Sequence, residues 1–364
     1  MGGGQRTVED LGVTAPFWRG RRVLLTGITG FKGGWLALWL RQLGATVTGI
    51  SLPPPTSPSL FEVARVGAAA EWNDLDVRDG VAVSDRVAAC EPEVAFHLAA
   101  QPLVRASYEM PVATFDTNVL GTVHVLEALR SAASLRCVVV VTTDKCYENR
   151  EWPWPYRESD ALGGHDPYSS SKACAELVTS AYYRSFFKHR RVGVATARAG
   201  NVIGGGDWAR DRLVPDMVAA MVARQPVVVR NPESSRPWQH VLEPLSGYLQ
   251  LAERAATEPD AYSDAWNFGP NADAVRPVAE LVDRICSLWG DGARWHSTDA
   301  AQPHEAKLLA LDASKAHARL GWRPRLSLPE TLAWTVAWYK AFRAGEDMSA
   351  FTLHQIRRYE EIRL

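Results

Sequence analysis

The sequence predicts an α/β fold, a doubly wound parallel sheet with a smaller C-terminal lobe, on three observations. Short apolar runs alternate with longer amphipathic segments from Arg21 to about Val194, the rhythm of strand, helix, strand. A turn spaced by glycines, Gly27-Ile28-Thr29-Gly30-Phe31-Lys32-Gly33, links the first run to the first amphipathic segment. From about residue 200 to 330 the alternation weakens, and Gly204-Gly205-Gly206, Pro215, Pro226, Pro232 and Pro237 divide shorter elements.

Taken in order, residues 1–15 are glycine-rich and polar and read as a loose tail. Val23-Leu24-Leu25 reads as the first strand and residues 34–43 as its helix. Val47-Thr48-Gly49-Ile50-Ser51-Leu52 is the second strand, and a third ends near Asp76. Val94-Ala95-Phe96 precedes a helix over 112–130. Cys137-Val138-Val139-Val140-Val141 reads as a strand buried on both faces, and a helix over 167–187 follows. These elements place a nucleotide-binding domain at 16–199. Residues 200–364 are mainly the second lobe, with the chain free to cross between the two.

Net charge is −1 with pI near 6.8, so neither nucleic acid nor an anionic membrane is an expected partner. An anionic ligand must then be met by local arginines and backbone amides. Five cysteines, Cys90, Cys137, Cys146, Cys174 and Cys286, are odd in number and lack C-x-x-C spacing, which points away from disulfides and metal and toward a reducing cytoplasm. No run of the chain has the length and apolarity of a membrane span.

Gly27, Gly30 and Gly33 follow a strand and open a helix, the setting in which backbone amides and the helix dipole hold a pyrophosphate. The second strand ends without the acidic residue that grips an adenosine ribose, which leaves NAD and NADP both open. Asp76 is placed either to meet the adenine amine or as an exposed turn residue.

Tyr168 and Lys172 stand at i and i+4 on a helix that starts near Asp166-Pro167, so they share a face. An ammonium beside a phenol favours phenolate, and the pKa of Tyr168 is expected to fall toward working pH. Thr142-Thr143-Asp144-Lys145, just past the fifth strand, sets a hydroxyl, a carboxylate and an amine side by side. Hydride transfer alone needs only hydroxyl, tyrosine and lysine, whereas elimination of water also needs an acid and a base. Asp144 and Lys145 supply one of each.

These motifs, with Leu162-Gly163-Gly164-His165-Asp166-Pro167-Tyr168, Ala197-Arg198-Ala199-Gly200-Asn201-Val202 and Arg236-Pro237-Trp238-Gln239-His240-Val241, resemble the extended short-chain dehydrogenase/reductases. Within them the likeness is to the nucleotide-sugar 4,6-dehydratases. Related dTDP-sugar enzymes carry Asp-Glu where this chain has Asp144-Lys145, which favours the CDP-sugar branch. The resemblance implies a Rossmann-type domain with NAD on Gly27, Gly30, Phe31, Lys32, Gly33, Asp76, Ala99, Tyr168 and Lys172. It implies conversion of CDP-glucose to CDP-4-keto-6-deoxyglucose, with Tyr168, Thr143 and Lys172 acting at C4, Lys145 at C5 and Asp144 on the C6 hydroxyl. Asn201, Arg212 and Arg236 are implied at the substrate diphosphate, with surface ion pairs the alternative for the two arginines. Trp238 and His240 are expected as packing residues near the ligand, and His97 and His304 as structural histidines. The family commonly forms homodimers through helices that here span 108–130 and 167–187, with Val119, Leu120, Val123, Val125, Leu126, Leu177, Val178, Tyr182 and Phe186 as apolar cover.

Three rivals stand beside this reading. Another NDP-hexose could be the substrate, since the catalytic residues do not read the base. A 4-epimerase would leave Asp144 and Lys145 idle. A non-catalytic dinucleotide sensor would not need the intact Tyr168–Lys172 pair.

Overall fold

Strands read as unbroken apolar runs because alternate residues enter opposite cores. Val23 and Leu25 pack with Phe96, Val139 and Val141 on one face, while Leu24 joins Ala95, Val138 and Val140 on the other. A computed structural model describes residues 13–298 and 308–363. The seven strands are β1 (Arg22–Thr26), β2 (Thr46–Ser51), β3 (Glu71–Asp74), β4 (Val94–His97), β5 (Cys137–Val141), β6 (Gly193–Arg198) and β7 (Ala265–Asn267). They form one sheet in the order β7-β6-β5-β4-β1-β2-β3, every neighbouring pair parallel. The order reverses between β1 and β4, and in such sheets ligands bind beyond the carboxyl ends at that switch.

Helices cover both faces, as a doubly wound sheet requires. Helix α1 (Phe31–Gln42) and the later α6 (Leu242–Thr257) belong to one core, and α2 (Gly80–Cys90) and α3 (Gly121–Arg130) to the other. The helix expected over 112–130 is interrupted: a helix at Pro111–Phe115 passes through a π-turn at Asp116–Leu120 into α3. Helix α4 (Pro167–Tyr182) starts with Pro167 in its first turn and with the Asp166 side chain accepting from the Ser169 amide at 2.9 Å. It ends in a second π-turn, Tyr183–Phe187, which completes the expected 167–187 segment.

Beyond β6 the chain adds α5 (Leu213–Val222), α7 (Val278–Trp289), α8 (Leu328–Arg343), α9 (Met348–Glu360) and three two-stranded pairs. β7 and α6, though from the second half, belong to the sheet layer, so the chain crosses back into the first domain after residue 200. Residues 1–12 of the expected tail lie outside the described residues. Its end is corrected: Thr14 donates through its amide and hydroxyl to Glu253 at 2.8 and 2.9 Å, and a short helix begins at Ala15.

Candidate active site

The glycine loop joins β1 to α1 through contacts that no side chain could share. Gly27 has φ +76°, and a Cβ there would lie 2.7 Å from the Ala99 amide nitrogen; one at Gly33 would lie 2.1 Å from the Gly27 carbonyl oxygen. Backbone therefore lies open at the N-terminus of α1, where Gly30 is the N-cap and no acidic side chain stands in the first turn. That cradle fits a pyrophosphate. The Thr26 hydroxyl accepts from the amides of Leu98 and Ala99 at 3.1 and 3.0 Å, which fixes the β4 end against the loop. Where an acid would grip ribose, the Thr29 and Ser51 hydroxyls bond each other at 2.9 Å, and Thr29 donates to the Leu52 carbonyl. Asp76 sits two residues past β3, held by the Arg78 amide and guanidinium, which keep its carboxyl below the usual range.

At the end of β5 the chain makes a single 3₁₀ turn, Asp144–Cys146, capped by Thr143. The Thr143 hydroxyl donates to Asp144 Oδ1 at 3.0 Å. Asp144 Oδ2 is buried and has no hydrogen-bond partner among the described residues. A Cβ on Gly200, after β6, would stand 1.8 Å from that oxygen, so glycine is what admits the carboxylate. Lys145 is half-buried, and its ammonium pairs with no side chain among the described residues.

Tyr168 and Lys172 face this turn from the first two turns of α4. The expected fall of the Tyr168 pKa is corrected. Burial pushes the phenol up to about 12, and the neighbouring Thr143 hydroxyl and the charge of Arg212 oppose that rise while Asp144 adds to it. Lys172 donates to the Val141 carbonyl at 3.3 Å, and burial lowers it to about 8 against the pull of Glu176. Burial likewise lowers Lys32 to about 8, with Arg212 and Lys172 adding to the fall and Asp144 resisting it. Lys32 lies over the Tyr248 ring at 6.0 Å.

Arg212 is the N-cap of α5 and pairs with Asp207 at 2.8 Å, while its charge reaches Tyr168 and Lys32. Asn201 follows Gly200 with φ +47°, a conformation asparagine tolerates better than most residues. Arg236 is buried, its guanidinium donating to the Ser235 carbonyl at 3.0 Å. His240 packs edge-on between Trp35 and Trp334, and burial lowers it to about 3. His97 bonds the Thr26 and Thr122 hydroxyls at 2.7 and 3.1 Å and is also lowered to about 3, a structural histidine as expected. His304 lies outside the described residues.

Three supports escaped the sequence reading. Asn118, in the π-turn, donates to the Ser171 hydroxyl at 2.8 Å and accepts from the Gln101 amide, tying the β4 loop to α4. Glu176, one turn beyond Lys172, accepts from Arg198, Thr142 and Thr196 beneath the Asp144–Cys146 turn. Tyr248, fully buried, has a hydroxyl without a partner among the described residues and feels the charges of Tyr168 and Asp144. The i+4 spacing of Glu176 from Lys172 was the signal available in the sequence.

A dinucleotide cradle facing a tyrosine–lysine pair, with an added acid on the β5 turn, defines an extended short-chain dehydrogenase/reductase equipped for elimination. The sequence pattern of the family described as GDP-mannose 4,6 dehydratase matches residues 24–335, and the chain belongs to that family. It is 52% identical, over 94% of its length and 97% of the relative's, to a CDP-glucose 4,6-dehydratase of Salmonella typhimurium. A dTDP-glucose 4,6-dehydratase of Xanthomonas campestris is 26% identical over 87% of this chain and 92% of its own. The fold is also that of a Bacillus anthracis dTDP-glucose 4,6-dehydratase crystallised with NAD, with TM-score 0.72 and 21% identity over 90% of this chain and 99% of that one. A Thermotoga maritima UDP-glucose 4-epimerase superposes with TM-score 0.76 at 21% identity over 88% and 99%.

Proposed function

We infer that this chain converts CDP-glucose to CDP-4-keto-6-deoxyglucose, a 4,6-dehydration within its family, with NAD as cofactor. The observation that carries the reading is the buried Asp144 carboxylate, one oxygen tied to Thr143 and the other without a partner among the described residues. A 4-epimerase has no step that uses such an acid.

NAD held on Gly27, Gly30 and Gly33 supplies a hydride acceptor at C4 of the sugar and a donor at C6. Phe31, Lys32, Asp76 and Ala99 border the same cradle in this reading. Tyr168 takes the proton of the C4 hydroxyl, aided by Thr143, with Lys172 beside it. The resulting ketone acidifies C5, whose proton goes to Lys145, which has no ion-pair partner among the described residues. Asp144 protonates the C6 hydroxyl as it leaves. Arg212 and Arg236, with Asn201, hold the diphosphate through forked, charge-assisted bonds.

Exposed apolar side chains cluster on the helices proposed to pair in a homodimer: Met110, Val112, Phe115, Leu120, Leu177 and Phe186. Val125 and Leu126 do not belong to that surface, because both are fully buried in the chain's own core. A reducing cytoplasm suits five unpaired cysteines. No helix among the described residues is long and apolar enough to cross a membrane.

Proton NMR of the protein with CDP-glucose and NAD in deuterated water tests the function. A new C6 methyl signal with deuterium at C5 is expected. Conversion of dTDP-, GDP- or UDP-glucose in its place overturns the nucleotide, and four intact substrates overturn the reaction.

A further inference from the structure

The dehydration inferred above, on which this proposal rests, needs the Asp144 carboxyl to stand where the C6 hydroxyl leaves. A displacement of about 1 Å from such a position costs on the order of 10²-fold in rate, so whatever fixes Asp144 bears on the chemistry. Thr143 holds Oδ1 only. The carboxyl group lies directly against Gly200, where a Cβ would stand 1.8 Å from Oδ2, 2.2 Å from Cγ and 2.8 Å from Oδ1. Gly200 itself falls in the gap between β6, which ends at Arg198, and the short strand Val202–Ile203 that pairs with Gln239–His240. A side chain supplies the missing hold: Gln239 Nε2 donates to the Gly200 carbonyl at 3.2 Å and to the Phe268 carbonyl, just past β7, at 2.9 Å.

We propose that Gln239 is a positioning residue for the C6 acid: by clamping the Gly200 and Phe268 carbonyls it fixes the backbone bed against which the Asp144 carboxyl rests. Both partners of its side chain are carbonyls, so only the amide NH2 can face them, and the side chain has one orientation. Gln239 is 2% exposed, and its backbone amide donates to the Asn201 carbonyl at 3.3 Å, which anchors the clamp from its own main chain. The clamp also reaches the far side of the Asp144–Cys146 turn, because Phe268 follows Asn267, whose Oδ1 accepts from the Tyr147 hydroxyl at 2.7 Å. Tyr168 and Lys172 are carried by α4, whereas the Gln239 side chain bonds the ends of β6 and β7. Loss of the clamp should therefore reach elimination and spare C4 oxidation.

Single-turnover absorbance of NADH with CDP-glucose separates the two steps. In Gln239→Leu, which keeps the bulk and removes both donors, NADH should form within ~3-fold of the wild-type rate and then persist, because elimination is slower by ~10- to 100-fold. CDP-6-deoxy-6-fluoroglucose loses fluoride, which leans far less on a proton donor, so its elimination in Gln239→Leu should stay within ~3-fold of wild type. Equal losses in both steps, or on both substrates, overturn the proposal and leave Gln239 a structural residue; unchanged elimination from CDP-glucose overturns it as well. Gly200→Ala displaces the same carboxyl directly and tests the bed whether or not Gln239→Leu folds: the same selective loss is expected, and a wild-type elimination rate overturns the proposal. In NAD-free protein carrying ¹³Cγ-aspartate, with the Asp144 signal assigned through Asp144→Asn, Gln239→Leu should shift that resonance, and an unmoved signal overturns the link. Failure of the dehydratase reading shows separately, as wild-type protein that leaves CDP-glucose intact, and removes the positioning role with it.

Discussion

Arg198 grips Glu176 with a two-pronged bond inside the protein: Nε meets Oε1 at 2.9 Å and Nη2 meets Oε2 at 2.8 Å, with both side chains 3% exposed. The same guanidinium donates to the Tyr147 hydroxyl at 2.7 Å, and that hydroxyl bonds Asn267 at the end of β7. One ion pair thus ties the segment after the Asp144–Cys146 turn, α4 and the returning strand together. Removing one partner of a buried pair costs about 3–5 kcal/mol because the other charge is stranded.

Glu176 also opposes the burial that lowers Lys172 to about 8. Lys172 sheds its proton as pH rises through that value, so activity that depends on the ammonium fades on the alkaline side. Glu176→Gln removes the opposing charge. The alkaline limb of kcat should then move down by about one unit, and Tm should fall as well. A pH–rate profile beside a thermal melt checks both, and a fall in Tm with an unmoved limb would confine Glu176 to a structural role.

Lys145 is proposed as the C5 base, so Lys145→Ala should leave C4 oxidation standing while elimination drops by about 10²-fold or more. Single-turnover absorbance at the NADH band, followed with assay of the 4-keto-6-deoxy product, separates the steps. Undiminished product formation would reject the assignment.

Much of this architecture is legible in the sequence because it is local. Gly27, Gly30 and Gly33 sit within one turn, Tyr168 and Lys172 within one helical turn, and Thr143 beside Asp144. What escapes is joined across the chain. β7, only three residues long, earns its place in the sheet through pairing with β6 some seventy residues earlier, and no local pattern marks it. Arg198 and Glu176 read singly as charged residues that belong in water. The expected drop in the Tyr168 pKa fails for the same reason: helical spacing reveals a neighbouring lysine, but burial and the Val141 carbonyl that engages it depend on the assembled fold.

Leu177 is 61% exposed on α4 and Leu120 is 50% exposed at the π-turn before α3. If these helices pair between two copies, Leu177→Glu places a charge in the seam and should yield monomer by light scattering with the circular dichroism spectrum unchanged. Wild-type protein that is already monomeric would refute the interface.

Two carboxylates on α6 anchor opposite ends of the chain. Glu243 accepts from the Arg325 and Leu326 amides at 2.9 and 2.7 Å and from the Tyr359 hydroxyl at 2.7 Å, and Glu253 accepts from Thr14 and from Trp18 at 2.7 Å. Burial pushes both up to about 7 in spite of these bonds. Between the ordinary glutamate range and that value the folded protein holds protons that the unfolded chain has released. The stability they contribute is complete below the unfolded pKa and is lost as pH rises through about 7. Tm should therefore decline from about pH 5 to about pH 8, and a Glu243→Gln/Glu253→Gln variant should lose much of that slope, since neutral amides carry no proton to release. Calorimetry across the range decides it: equal slopes in variant and wild type would mean that both carboxylates remain ionised in the fold, sustained by their donors against burial.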